Sequence, residues 1–477
     1  MKLMNLLRPQ ILLSLIVSVV SFPALAQQTL PALEALQASG MRVGAYFSVE
    51  GKPIATLNPD LLLNPASVTK LFTAAIATDR IGPDRRFRTS VFTAGDGTLY
   101  VEGSGDPELT VRELDQLASC VAGVSKGPFP RLVFSTGPFD RSDLPPAYGQ
   151  KNTSSAYRAS VAGLQVNRNA VAVSVGKAAP GETPAVKVTP SSDYVRVVNS
   201  ARASSSGKEG VAQRRRDPLR MTTSTDKDGR LVVTISGRSN PAKAVGRTFR
   251  VDNPAWNAAS AFIDSLKKRG VSVKAAVPVR GNVPVGAERI CFVMSPRLGD
   301  ILVPMLKDSI NPVAESVLRL VGARAARGQV GFGEGAAALM GFLNEDVKVP
   351  EGSCRFTNGS GLYGANKVSA AATVALVDWI LGRKDVRPVI ARALPVGGVD
   401  GTLQGRFRGE TYKGRVHAKT GTLDVAISLA GWVDLPDGRA MSFAVLVEGD
   451  SKLNSAQVRG AIDSSVMKAA EGAARVR

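Results

Sequence analysis

Three short motifs hold residues able to do nucleophilic chemistry. Ser67-Val68-Thr69-Lys70 sets a hydroxyl and an amine at i and i+3. On a helix the two lie on one face, one turn apart and within hydrogen-bond reach. A serine alone is a poor nucleophile near neutral pH, but an amine whose pKa is lowered by burial and nearby cations can take its proton. A helix N-terminus also offers backbone N–H groups to developing negative charge. Ser309-Ile310-Asn311, followed by Pro312 and an apolar helical stretch, adds a hydroxyl able to relay a proton to a leaving group. Its Asn311 amide can hold both a substrate and Lys70. Lys419-Thr420-Gly421-Thr422, at the start of a predicted strand, supplies positive charge near the nucleophile and for a substrate carboxylate. Thr420 and Thr422 offer hydroxyls, and Gly421 lets a substrate backbone approach closely. Singly, each motif is weak, since S-x-x-K begins many surface helices and S-x-N is mostly a turn or cap.

The composition limits the alternatives. The chain has 477 residues, 44% of them hydrophobic, and one histidine, His417. That length suggests about three domains, and the apolar share excludes global disorder. One histidine excludes a multi-histidine metal site, and a Ser-His-Asp triad would have to run through it. Cys120, Cys291 and Cys354 are too few for a Cys₄ zinc site and too scattered for a CxxC pair. No metal or cofactor is expected. At most one disulfide can form within the chain, and buried free thiols are the alternative. His417 stands two residues before Lys419, so on a strand both point the same way. It either tunes Lys419 or touches substrate, or it packs and hydrogen-bonds at the cleft edge.

Residues 1–26 read as a secretory signal peptide. Lys2 and Arg8 form its positive start, Ile11 to Val20 its apolar stretch and Ala24-Leu25-Ala26 its cleavage site. A retained anchor is the other reading, but the apolar run is shorter than the ~20 residues needed to span a bilayer. The expected location is therefore exported, in the periplasm or cell wall. Export lowers the formal charge from +20 to +18. Between Arg202 and Arg250 twelve basic residues face four acidic ones, with Arg214-Arg215-Arg216 at the centre. For an exported chain without interleaved aromatics there, nucleic acid is not an expected partner. The surplus suggests either a weak association with an anionic envelope or membrane surface, or a solvated segment that keeps the chain soluble.

The elements that must position the motifs follow from hydrophobic patterning. Met41–Val49 and Pro53–Leu57 form a hairpin ahead of a helix over 66–80. Phe87–Ala94 and Thr98–Glu102 form a second hairpin, followed by a helix from Val111 to Cys120 and a strand at Arg131–Ser135. From about Lys177 to Gly237 the chain is poor in large apolar residues; strands at Tyr194–Val198 and Leu231–Ser236 are expected, with no long helix. Asn253–Arg269 reads as a helix with Pro254 near its start. Ile427–Leu435 and Arg439–Glu448 form a strong hairpin, and a last helix runs from about Ser455 to Ala470.

Taken together and in this order, the three motifs resemble the signature set of penicillin-recognising serine enzymes. The chain resembles a class C low-molecular-mass penicillin-binding protein of the D-alanyl-D-alanine carboxypeptidase/endopeptidase family. Gly103-Ser104-Gly105-Asp106-Pro107 with Leu109-Thr110 resembles that family's G-x-GDP-x-L segment. Asn358-Gly359-Ser360-Gly361-Leu362 resembles its DGSGL loop, with Asn for Asp. Leu394 to Leu403 resembles its LPVAG-x-DGTL segment. The resemblance implies an α+β fold: a β-lactamase/transpeptidase-like domain, an antiparallel sheet flanked by helices, with two inserted, mainly β accessory domains. The expected division is 27–88 with 290–477 for the peptidase domain, 89–176 with 238–289 for a second domain, and 177–237 nested within it. The long stretch between Ser67 and Ser309 exceeds what a compact β-lactamase holds.

The resemblance also implies roles. Ser67 attacks the penultimate D-Ala carbonyl of a peptidoglycan stem peptide or cross-link, with Lys70 as base. Backbone N–H groups of Ser67 and Thr422 hold the oxyanion, and Ser309 and Asn311 assist proton transfer and positioning. Lys419, Thr420 and Thr422 bind the terminal carboxylate, and β-lactams acylate Ser67. Relatives that read meso-diaminopimelate carry an acidic residue and an arginine where this chain has Lys151-Asn152-Thr153-Ser154 and Tyr363-Gly364-Ala365. The third stem-peptide residue is therefore not legible, nor is the oligomeric state. The competing readings are a serine β-lactamase and a non-catalytic wall-binding scaffold.

Overall fold

The computed structural model describes residues 28–326 and 328–475, so the segment read as a signal peptide lies outside the described residues. A five-stranded sheet forms the base, in the order 416–423, 426–434, 440–448, 42–49, 52–57, with every neighbouring pair antiparallel. Both of its faces are covered. Along Ala440–Glu448, Phe443, Val445 and Val447 join a core with the helices Pro31–Ala38 and Ser455–Arg475. The alternate residues Ala444 and Leu446 join the core under the helices Thr69–Arg80, Asn311–Ala325 and Ala370–Gly382. The period of two along a strand sends successive side chains to opposite faces. With both faces buried, the strand reads as one apolar run.

Between the helix Thr69–Arg80 and the helix Leu298–Lys307 the chain builds two further cores. The first lies under a sheet ordered 279–280, 132–135, 99–103, 88–93, 288–294, with the helices Val111–Val124 and Pro254–Lys268 packed on it. The first of these helices is four residues longer than its sequence pattern suggests. It begins on a capping box in which Thr110 and Glu113 satisfy each other's backbone N–H groups. Cys120 and Cys291 form a disulfide joining it to the strand Glu288–Met294, and Cys354 is a buried free thiol.

The third core draws on two three-stranded sheets, 245–250 with 170–175 and 186–189, and 220–225 with 231–236 and 195–199. It reaches from Val171 to Val251, well beyond the 177–237 stretch, because Ala170–Val175 pairs with Val245–Arg250 across the intervening chain. This region also carries a ten-residue helix, Gly207–Arg216. Its pattern was hidden because Val211 is its only large apolar residue and is itself exposed.

Candidate active site

Ser67 sits in a single 3-10 turn, Ala66–Val68, that runs directly into the helix Thr69–Arg80. The turn is held from three sides. Ala66 adopts a left-handed φ of 46°, which costs an alanine about 1–2 kcal/mol, and its N–H donates to Asn64 Oδ1 at 2.9 Å. The Ser428 hydroxyl donates to the Pro65 carbonyl at 2.6 Å. Gly361, at φ +78°, approaches so closely that a Cβ there would lie 1.8 Å from the Ala66 carbonyl oxygen. Gly361→Ala should therefore cost about 2–5 kcal/mol from left-handed strain plus overpacking against backbone. Thermal melts of the variant check the loss.

Lys70 lies one turn beyond Ser67 and is completely buried. Its Nζ donates to Asn311 Oδ1 at 2.6 Å and to the Ser360 carbonyl at 2.8 Å, and it stands 3.0 Å from Ser67 Oγ. Asn311 Nδ2 donates to the Tyr157 carbonyl at 3.0 Å, which fixes the amide orientation with its oxygen toward Lys70. Burial, reinforced by the Lys419 ammonium, holds the Lys70 amine well below the usual lysine range, against an opposing pull from Glu315. A neutral amine has two N–H bonds and one lone pair. With both hydrogens taken by the Asn311 and Ser360 oxygens, the lone pair is left for the Ser67 hydroxyl.

Ser309 occupies a left-handed turn (φ 59°) between the helices Leu298–Lys307 and Asn311–Ala325. Sparsely populated backbone of this kind clusters at functional sites. Its Oγ accepts a hydrogen bond from Lys419 Nζ at 3.0 Å, and Nζ also donates to the Thr420 carbonyl at 2.8 Å. Lys419 is fully buried in the middle of the strand Val416–Leu423, and desolvation lowers its pKa to about 7. The Thr420 hydroxyl donates to Thr402 Oγ1 at 2.8 Å, so the Leu394–Leu403 segment orders one wall of the strand. Thr422 Oγ1 accepts from Arg459 at 3.3 Å.

Gly421 packs closely against neighbouring parts of the chain. A Cβ there would lie 2.1 Å from Ser428 Oγ and 2.6 Å from the Pro65 carbonyl, so its missing side chain makes room for the nucleophile turn. Ser67, Ser309, Asn311 and Thr422 line one cleft of about 650 Å³, whose outer wall includes Lys151, Tyr157, Tyr363 and Asp424. Lys151 and Asp424 pair at 3.1 Å across it.

His417 packs at the edge. Its ring stacks on Trp432 with centroids 5.2 Å apart, and Nε2 lies 3.0 Å from Asp434. The Gly103–Pro107 segment packs against Gly163 and Leu164 and does not line the cleft. Asn358, in the loop that resembles DGSGL, accepts from the Gly361 N–H at 2.9 Å and donates to the Pro146 carbonyl at 3.2 Å. An ionised carboxylate could accept the first bond but not donate the second.

Sequence reasoning missed two buried groups behind Lys70, Glu315 and Tyr148. The available signal was a single acid in the apolar helical run after Asn311.

The chain matches the D-Ala-D-Ala carboxypeptidase 3 (S13) family over residues 25–469. It is 32% identical over 418 residues to a D-alanyl-D-alanine carboxypeptidase of Actinomadura sp. (strain R39), covering 82% of this chain and 74% of that protein. It is 25% identical to the D-alanyl-D-alanine carboxypeptidase DacB of Haemophilus influenzae over 83% of each chain. The crystal structure of penicillin binding protein 4 (dacB) from Haemophilus influenzae matches at a TM-score of 0.77 and 23% identity, over 93% of this chain and 99% of that one. At that identity the match speaks for the fold.

Proposed function

The chain belongs to the D-Ala-D-Ala carboxypeptidase 3 (S13) family, and from that premise we propose how it works. It is a serine-type D-Ala-D-Ala carboxypeptidase and D,D-endopeptidase that acts on peptidoglycan stem peptides and their cross-links through an acyl-enzyme at Ser67. The observation that carries this reading is the coordination of Lys70, whose two oxygen acceptors leave its third position facing Ser67 Oγ.

In acylation the Ser67 hydroxyl proton passes to Lys70 Nζ while Oγ bonds to the penultimate D-Ala carbonyl carbon. The backbone N–H groups of Ser67 and Thr422 receive the oxyanion. The C–N bond then breaks as Ser309 gives its hydroxyl proton to the leaving amine and takes in exchange the proton held on Lys70, which returns Lys70 to its neutral form; Lys419 is hydrogen-bonded behind Ser309. Lys419, Thr420 and Thr422 take the terminal carboxylate. Water, deprotonated by Lys70, hydrolyses the ester and regenerates Ser67. A β-lactam acylates the same oxygen.

The two lysines are needed in opposite protonation states, Lys70 neutral and Lys419 charged. A cation whose pKa is lowered loses its charge as pH rises through that lowered value. In the free enzyme kcat/KM should rise as Lys70 deprotonates and fall on the alkaline side near pH 7, where Lys419 deprotonates. A bound carboxylate raises the Lys419 pKa, so the alkaline limb of kcat should lie at higher pH. Coincident alkaline limbs for kcat and kcat/KM would contradict carboxylate binding by Lys419.

Mass spectrometry of cross-linked and uncross-linked stem peptides after incubation tests the activity and separates its two forms. Rapid steady-state hydrolysis of penicillin would point to a β-lactamase instead. The same reading locates the protein in the periplasm or cell wall. It assigns 27–88 with 290–477 to the peptidase domain, supported by the cores that unite the central sheet with its helices. Residues 89–176 with 238–289 are the second domain, and the nested third, read from the sequence as 177–237, extends over the 171–251 that its core spans. The basic helix Gly207–Arg216, with three arginines in its last turn, is the candidate contact with anionic envelope surfaces.

A further inference from the structure

Behind Lys70 lies a carboxylate that the reaction above does not use. Glu315 follows Asn311 by one turn on the same helix and is completely buried. Its Oε2 accepts the Gly359 N–H at 3.0 Å; its Oε1 accepts the Ser360 N–H at 3.0 Å and the Tyr148 hydroxyl at 3.3 Å. The Tyr148 oxygen also lies 3.0 Å from Ser360 Oγ. Burial raises the Glu315 pKa, while the donors that converge on this carboxyl group and the nearby Lys70 charge oppose that rise and favour its ionised form. The next cation along the helix, Arg319, is committed to Asp140. The carboxylate therefore faces Lys70 through one residue, because the Ser360 carbonyl accepts from Lys70 Nζ while the Ser360 N–H is held by Glu315.

We propose that Glu315 is a positioning residue for the reaction: it fixes the 359–361 loop against Lys70 and is the buried counter-charge to the ammonium formed when Lys70 takes the Ser67 proton. That ammonium arises beside the Lys419 charge, which disfavours it, and Glu315 is the carboxylate that offsets the pair. The other titratable groups facing this carboxylate and the loop are Tyr148 and Tyr363, whose rings meet edge to face with centroids 5.9 Å apart. Gln in place of Glu315 keeps the shape but removes the charge and turns an N–H₂ toward one of the two backbone donors. Because this inference rests on Lys70 acting as base, its test must separate the two claims.

The measurement is the pH dependence of the acylation rate of Ser67 by fluorescent penicillin, in the wild type, Glu315→Gln and Glu315→Asp. The negative charge raises the Lys70 pKa, so removing it lets Lys70 become neutral at lower pH. In Glu315→Gln the acid limb should move down by about one pH unit and the plateau should fall at least roughly tenfold. Glu315→Asp draws the charge back without removing it and should move the limb less, in the same direction; it carries the test if the Gln variant does not fold. A lowered plateau with an unmoved limb in the folded variants would reduce Glu315 to a loop anchor and overturn the proposal. A wild type that takes no label would instead overturn the acyl-enzyme reading itself.

Discussion

Replacing Ser67 by alanine should lower D-alanine release from D-Ala-D-Ala peptides by on the order of 10⁴-fold or more, because the covalent route disappears with its oxygen. It should also abolish labelling by fluorescent penicillin. The fold should survive almost unchanged. Ser67 Oγ touches Lys70 Nζ, while the turn that carries it is held through the Pro65 carbonyl, the Ala66 N–H and the close approach of Gly361. A melting temperature within about 2 °C of wild type is expected, as for a substitution that leaves no cavity and orphans no backbone group. Residual catalysis near the wild-type rate would mean that another residue is the nucleophile.

The second large effect is expected for Lys70→Met, which keeps most of the volume but removes the base. Acylation should fall by on the order of 10³-fold or more, consistent with losing both the general base and the preorganised Ser67 contact. The stability outcome separates this lysine from an ordinary buried charge. Its amine is already driven toward neutrality by burial, so its loss removes no large Coulomb attraction. What it does remove is the donor to Asn311 Oδ1 and the Ser360 carbonyl, costing about 1–3 kcal/mol per orphaned acceptor. Pre-steady-state labelling and chemical denaturation give the two numbers. A variant that is as active as wild type would dismiss Lys70 as base.

The residues of the three motifs were legible because each is a local signal: a helix start at Ser67, Pro312 beside Asn311, and a strand through Lys419. The structure places Lys70 within hydrogen-bond distance of Ser67 and Asn311, and Lys419 within that of Ser309. Two hairpins of the central sheet, 41–49 with 53–57 and 427–435 with 439–448, were legible too, since their strands are neighbours in sequence; the pairing of 42–49 with 440–448 that joins them was not. What stayed hidden depended on distant pairing or on backbone atoms. The Ser360 carbonyl that binds Lys70 has no side-chain signature. Glu315 acts through a loop more than forty residues away. The reach of the third core follows from the pairing of 170–175 with 245–250, which composition alone does not reveal. His417 could not be decided from strand alternation because its outcome rests on Trp432 and Asp434, both on the adjacent strand.

The most direct test of the acyl-enzyme account is peptide-level mass spectrometry of the protein after brief exposure to benzylpenicillin. The account predicts one equivalent of penicilloyl adduct, located on Ser67, formed by the wild type and absent from Ser67→Ala. An adduct on another residue, or none on a folded wild-type protein, would contradict it.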